Sequence, residues 1–157
     1  MGKPQITVAR YIEQQLALCG RPQKEIAAEC GYGTANIITM FKQGTTKVPL
    51  EKVGLLAAAL QVDVTYLFRL VMTEYMPASW AALESIFGPE KFITANELAV
   101  AKFIRKIAGG NEIDLTDKDN ARELLVAIEC IADHDQAKAD AAVAAQNRLP
   151  PNARHKR

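Results

Sequence analysis

Glycines at positions 20, 31 and 44 divide the start of the chain into stretches of about ten residues, each reading as a short helix. Apolar residues recur there every three or four positions. Nowhere do apolar and polar residues alternate as along a half-buried strand. Thr7 to Leu18 places Val8, Ile12 and Leu16 on one helical face, with Thr7 as N-cap and Gly20 as a left-handed closing residue. A second helix is expected from Pro22 or Gln23 to Cys30, and a third from Thr34 to Gln43, closed by Gly44. Pro49 opens a fourth over Leu50–Leu60, and Asp63 or Thr65 opens a fifth over Val64–Val71. The expected fold class is all-α, beginning with a five-helix unit over residues 1–71.

Met72 to Ser79, with Pro77 inside it, reads as a hinge to a second helical lobe over 72–147. Helices are expected there at Ser79–Phe87, Ala95–Ala108 and Asp117–Ala132, with Gly109-Gly110 as a break and Thr116 or Asp117 as an N-cap. The alanine-rich run Asp133 to Asn147 would extend the last helix into solvent. Residues 148–157, with Pro150-Pro151 and four basic side chains, read as a disordered basic tail.

Net charge is +1 for the 157 residues, but its distribution says more than its total. Residues 1–70 carry 8 Lys/Arg against 5 Asp/Glu, residues 71–147 carry 7 against 13, and the tail carries 4 against none. Contact with a polyanion is therefore expected at the ends of the chain and not in its middle. No apolar run approaches the roughly 18–20 residues of a membrane helix, and Met1 to Arg10 lacks the apolar core of a signal peptide. Cys19, Cys30 and Cys130 form no CxxC pair and read as reduced thiols, so a cytoplasmic location is expected.

Gln23 to Lys42 reads QKEIAAECGYGTANIITMFK. Two helices meeting at a sharp angle need a small residue where their backbones approach, and Ala27 supplies it. Four positions later, Gly31 supplies a turn residue tolerant of positive φ. Ile26, Cys30, Tyr32, Ile37 and Met40 fall where the inner faces need apolar groups, with Phe41 on the core side. That register leaves Thr34, Ala35, Ile38 and Thr39 facing outward, with Asn36 and Lys42 at the flanks. A helix held in this way fits the DNA major groove, about 12 Å wide.

At these residues the chain resembles the phage-repressor-like (Cro/CI type, XRE) helix-turn-helix family. The likeness covers about Thr7 to Val71 and includes the stretches PLEKVGLLAAALQV and VTYLFRL. It implies a double-stranded DNA-binding transcriptional regulator, a repressor of a phage, plasmid or bacterial operon. In that family pattern Gln23 would bond a backbone phosphate. Thr34, Ala35, Asn36, Ile38 and Thr39 would face bases, and Lys42, Thr45, Thr46 and Lys47 would hold the flanking backbone. Asn36 would suit adenine, while Ile38 and Ala35 would touch thymine methyls. The face departs from a guanine reader, having no Arg and no Gln before Gln43, so an A/T-leaning or shape-assisted site is expected.

Family members usually pair on palindromic sites, which implies a homodimer. Residues 79–132 are the candidate pairing surface. Their apolar stripes (Trp80, Leu83, Ile86 and Phe87; Leu98, Ala101, Ile104 and Ile107; Leu124 to Ile131) exceed what a small lobe can bury alone. The chain has no Gly-rich phosphate loop, nucleophile elbow or HExxH, so no catalytic residues and no cofactor are expected, and the chain reads as a non-enzyme. Cys130 and His134 are one helical turn apart but lack further ligands nearby, so no metal is expected. The competing reading is a protein-binding module, an antitoxin or phage-encoded inhibitor that reuses the fold against a protein partner. A ligand sensor would need a polar cluster in an apolar setting, and the sequence offers none.

Overall fold

The computed structural model describes residues 6–109 and 114–148. Among these the chain is entirely helical, with no strand. The eight helices are α1 (Val8–Cys19), α2 (Gln23–Glu29), α3 (Asn36–Gln43), α4 (Val53–Leu60), α5 (Val64–Tyr75), α6 (Pro77–Phe87), α7 (Ala95–Ile107) and α8 (Lys118–Arg148). Single 3-10 turns precede α4 at Leu50–Lys52 and α7 at Pro89–Phe92. The basic tail beyond Arg148 lies outside the described residues. No described helix is long and apolar enough to cross a membrane.

Local signals set most of the helix ends. The Thr7 side chain accepts from Arg10 N at 3.2 Å, and Asp63 accepts from Tyr66 N at 2.9 Å, each satisfying a donor that the first helical turn leaves orphaned. At the other end of α2, Gly31 (φ 78°) lets Tyr32 N reach Ala27 O at 2.8 Å and Gly31 N reach Ala28 O at 2.9 Å, the paired bonds of a Schellman closure. Gly44 closes α3 with the same pair of bonds, to Met40 O and Phe41 O. Helix α4 ends the same way without a glycine, because Gln61 itself adopts φ 58°.

One core unites α1 to α5. Val8, Ile12 and Leu16 of α1 meet Ile26, Ala27 and Cys30 of the second helix and its cap, Ile38 and Phe41 of α3, Leu56, Ala57 and Leu60 of α4, and Leu67, Leu70 and Val71 of α5. Burying a side chain of this kind contributes about 1.5–3 kcal/mol, so this cluster far outweighs any surface pair. Long-range polar bonds trim it: Val8 N donates to Glu74 Oε2 at 2.6 Å, tying the start of α1 to the end of α5.

Two segments differ from expectation. The hinge expected over Met72–Ser79 is helical on both sides of a one-residue corner at Met76. Helix α5 continues to Tyr75 with Met72 buried, and Pro77 opens α6. Trp80 then meets Phe92 edge-on at 4.7 Å and Phe68 at 5.9 Å, an aromatic contact that fastens α6 to α5. The alanine-rich run 133–147 does extend α8, but it does not end in solvent. Ala139 and Val143 are buried, and Asp140 accepts from Arg10 at 2.6 Å and Gln14 at 3.3 Å, which lays the end of α8 along α1. Small side chains on that face permit the close approach.

Gln61 holds a left-handed conformation that costs a side-chain-bearing residue roughly 1–2 kcal/mol. Gln61→Gly relieves it at the cost of added freedom in the unfolded chain. The expected outcome is a gain of about 0.5–1 kcal/mol in urea-unfolding stability, and an unchanged or lower stability would refute the strain assigned to this corner.

Candidate nucleic-acid interface

Helix α3 is too short to be stable alone, so its position depends on what its inner face meets. Ile38 is fully buried and Phe41 nearly so, both turned toward α1, with the Phe41 ring edge-on to Tyr32 at 6.0 Å. Met40, expected inside, is 39% exposed, and Ile37 is half-buried. The expected assignment of Ile38 to base contact is therefore corrected: its side chain belongs to the core and has no surface to offer a thymine methyl. The pairs Ile37/Met40 and Ile38/Phe41 have the same three-residue spacing, so periodicity fits both equally. The bulk of Phe41 and the position of α1 select the second.

The helix also begins later than expected. Ala35 occupies the N-cap position of α3 and supplies no side-chain cap, so Thr34 lies in the turn and does not cap the helix. Ile38 N donates to Ala35 O at 3.1 Å, and no side chain caps the N–H groups of Asn36 and Ile37 before it. Thr34 and Asn36 are exposed beside them, and Ala35 is half-buried. Gln43 is exposed further along, and with Met40 it completes an outward row that the sequence reading had not assembled.

The turn before α3 is braced by a residue not singled out in the sequence. Lys52, just before α4, donates from Nζ to Cys30 O at 2.9 Å, and its ammonium lies over the Tyr32 ring at 5.4 Å. It satisfies a carbonyl at the negative end of α2 and ties α2 to the start of α4. Nothing in a lysine at this point of the sequence signals that role, since the contact spans 22 positions. Burial pushes the Cys30 thiol above its ordinary range, which marks it as an inert core group.

Gln23 and Thr39 are brought together. The Thr39 hydroxyl donates to Gln23 Oε1 at 2.9 Å across the two helices. This bond engages the oxygen of Gln23, while its amide nitrogen can only donate. Thr39 itself is half-buried, and its hydroxyl is engaged with Gln23 instead of a base. Lys42 and Thr46 are half-buried, while Thr45 and Lys47 are exposed. Thr45 Oγ1 donates to Met40 O at 3.2 Å, and the Lys47 ammonium lies 5.0 Å from the Tyr75 ring centre. The loop is thus held against α3 and α5. From Cys30 to Leu50 the chain carries Lys42 and Lys47 and no acidic residue, so this face is weakly positive. The nearest carboxylates of α2, Glu25 and Glu29, lie beside Arg21, whose guanidinium holds Glu29 below the usual carboxylate range.

Comparison of the chain with protein-family models, curated proteins and solved structures gave no match.

Two substitutions separate core from surface on this unit. Ile38→Ala removes a fully buried side chain and is expected to cost about 2–5 kcal/mol in unfolding free energy. Lys52→Met removes a charged donor from a carbonyl and is expected to cost about 1.5–3 kcal/mol. Urea denaturation followed by circular dichroism measures both. A near-neutral Ile38→Ala would mean that the side chain faces outward after all.

Proposed function

We propose that this chain is a sequence-specific double-stranded DNA-binding regulator of transcription, a cytoplasmic repressor of a phage, plasmid or bacterial operon that acts as a homodimer on a palindromic site. Its first five helices are read as a Cro/CI-like helix-turn-helix unit, with α3 as the recognition helix. The observation that carries this reading is the α2–turn–α3 unit. A Schellman closure at Gly31 and a buried Ile38/Phe41 face fix α3 so that its uncapped N-terminal end and the exposed Thr34 and Asn36 point away from the core.

The roles follow from the chemistry of each group. Gln23, its oxygen engaged by Thr39, donates from its amide nitrogen to a phosphate oxygen, and Lys42, Thr45, Thr46 and Lys47 hold the adjoining backbone. Asn36 offers the paired donor and acceptor that adenine accepts in the major groove, and Ala35 offers a methyl to thymine. With Ile38 withdrawn into the core, Met40 becomes the apolar side chain of the outer row. Such a regulator needs no catalytic group or cofactor, because tight binding over a promoter occludes the polymerase. The alternative, a protein-binding antitoxin or inhibitor, draws support from the weak charge of this face and from exposed Met40.

The test is fluorescence anisotropy of the purified protein with duplex from its own upstream region and with scrambled duplex, across a range of salt. A preference for the upstream duplex that weakens steeply with salt supports the regulator, since phosphate contacts release counterions. Asn36→Ala is expected to weaken specific binding by about tenfold or more, with the thermal unfolding curve unchanged. Equal, feeble binding to both duplexes at low salt would remove the DNA reading and favour the protein-binding alternative.

A further inference from the structure

The apolar faces of α7 and α8 are uncovered although the core beside them is complete. Helix α7 has no buried residue. Val100, Phe103 and Ile107 fall on one side of it, with Phe103 63% and Ile107 68% exposed. At 13 residues it is at the length where an isolated helix is marginal in water. Its N-terminal end is nevertheless fixed. A capping box joins Thr94 and Glu97, Ala95 N donates to Asp63 Oδ2 at 2.8 Å, and Arg69 binds Glu97 at 2.8 Å. The Asp63 carboxylate therefore caps α5 and α7 together, and these bonds hold its charged form below the usual aspartate range.

Helix α8 shows the same imbalance along a single face. Residues 124, 125, 128, 131, 132, 139 and 143 repeat at helical spacing on one side. The end of that face, at Ala139 and Val143, is buried against α1, while Leu125, Ile128 and Ile131 at its beginning are about half or more exposed. Within the chain, α7 and α8 do not pack along one another.

We propose that the partner covering both faces is a second copy of this chain, with α7 of each copy lying on the first half of α8 of the other. Charge decides the pairing. After Glu97, α7 carries Lys102, Arg105 and Lys106 and no acid, with Lys106 beside its apolar side. Residues 117–135 hold six acidic side chains against two basic ones, so the first half of α8 is net acidic. Pairing α7 with α7, or α8 with α8, would set like charges across the contact, a cost of several kcal/mol. The crossed arrangement sets the basic helix against the acidic one twice, and a two-fold axis satisfies both contacts in one step. Because α7 is clipped to α5 through Asp63 and Arg69, the same contact fixes the spacing of the two α3 helices. This pairing specifies the homodimer of the proposed regulator and rests on that reading.

Sedimentation velocity of the full chain without DNA tests it. The wild type is expected to sediment as a dimer. The variant Lys102→Glu/Lys106→Glu and the variant Glu123→Lys/Glu129→Lys are each expected to dimerise at least about tenfold more weakly. An equimolar mixture of the two is expected to recover dimer, because the reversed α7 of one variant then meets the reversed α8 of the other. A monomeric wild type, variants that dimerise like wild type, or a mixture of folded variants that stays monomeric would each overturn the crossed pairing. Duplex anisotropy on the same samples keeps the two ideas apart. A monomeric wild type that keeps its duplex preference sinks only the pairing, and a wild-type dimer without duplex preference sinks only the regulator.

Discussion

Ile38 and Phe41 seated against α1 are the contact on which the rest of this protein depends. An eight-residue helix has little stability of its own, and its hydrogen bonds form because one side of it is buried. Two large side chains three positions apart supply that side, and α1 meets them with Val8, Ile12 and Leu16. The consequence reaches the surface at once. With those two turned inward, Thr34, Asn36, Met40 and Gln43 must turn outward, at a rotation they do not choose themselves.

A second layer of polar contacts stiffens what the core positions. Lys52 binds the last carbonyl of α2, Thr39 binds Gln23 across the helix pair, and Thr45 returns to Met40 O. The two neutral bonds are each modest, since each replaces bonds to water, and the charged Lys52 bond is the strongest of the three. Together they remove freedom from the side chains that would meet a ligand, and a preorganised surface loses less entropy on binding. The same economy governs Asp63, whose two carboxylate oxygens serve the N-termini of two helices and so couple the first unit to α7.

Burial is unevenly distributed along the chain. The first five helices share a dense core, whereas α7 and the first half of α8 keep their apolar sides in water. Helix α8 runs for 31 residues and touches the rest of the molecule mainly through its end, where Asp140, Ala139 and Val143 meet α1.

The helix boundaries of the first unit were largely legible because their signals are local. Thr7, Gly20, Gly31, Gly44 and Asp63 act through hydrogen bonds or backbone conformations within a few residues, and a reader of the sequence sees both partners. The same locality explains the misjudged hinge: Pro77 does break the chain, but one residue suffices for the corner and Met72 remains in the core. Gln61 escaped notice because a glutamine gives no sign of a left-handed turn. Of the candidate surface, residue types and approximate place followed from spacing, and the pairing of Gln23 with Thr39 did not. By itself, the sequence determined that the chain is helical and where most helices of the first unit start and stop. Tertiary structure alone decided that Ile38 and not Met40 lies inside, that Lys52 braces the turn, and that the end of α8 returns to α1. Those outcomes depend on contacts between residues far apart in the chain, and helical periodicity fixes the spacing of a face without saying which of two equal faces is buried.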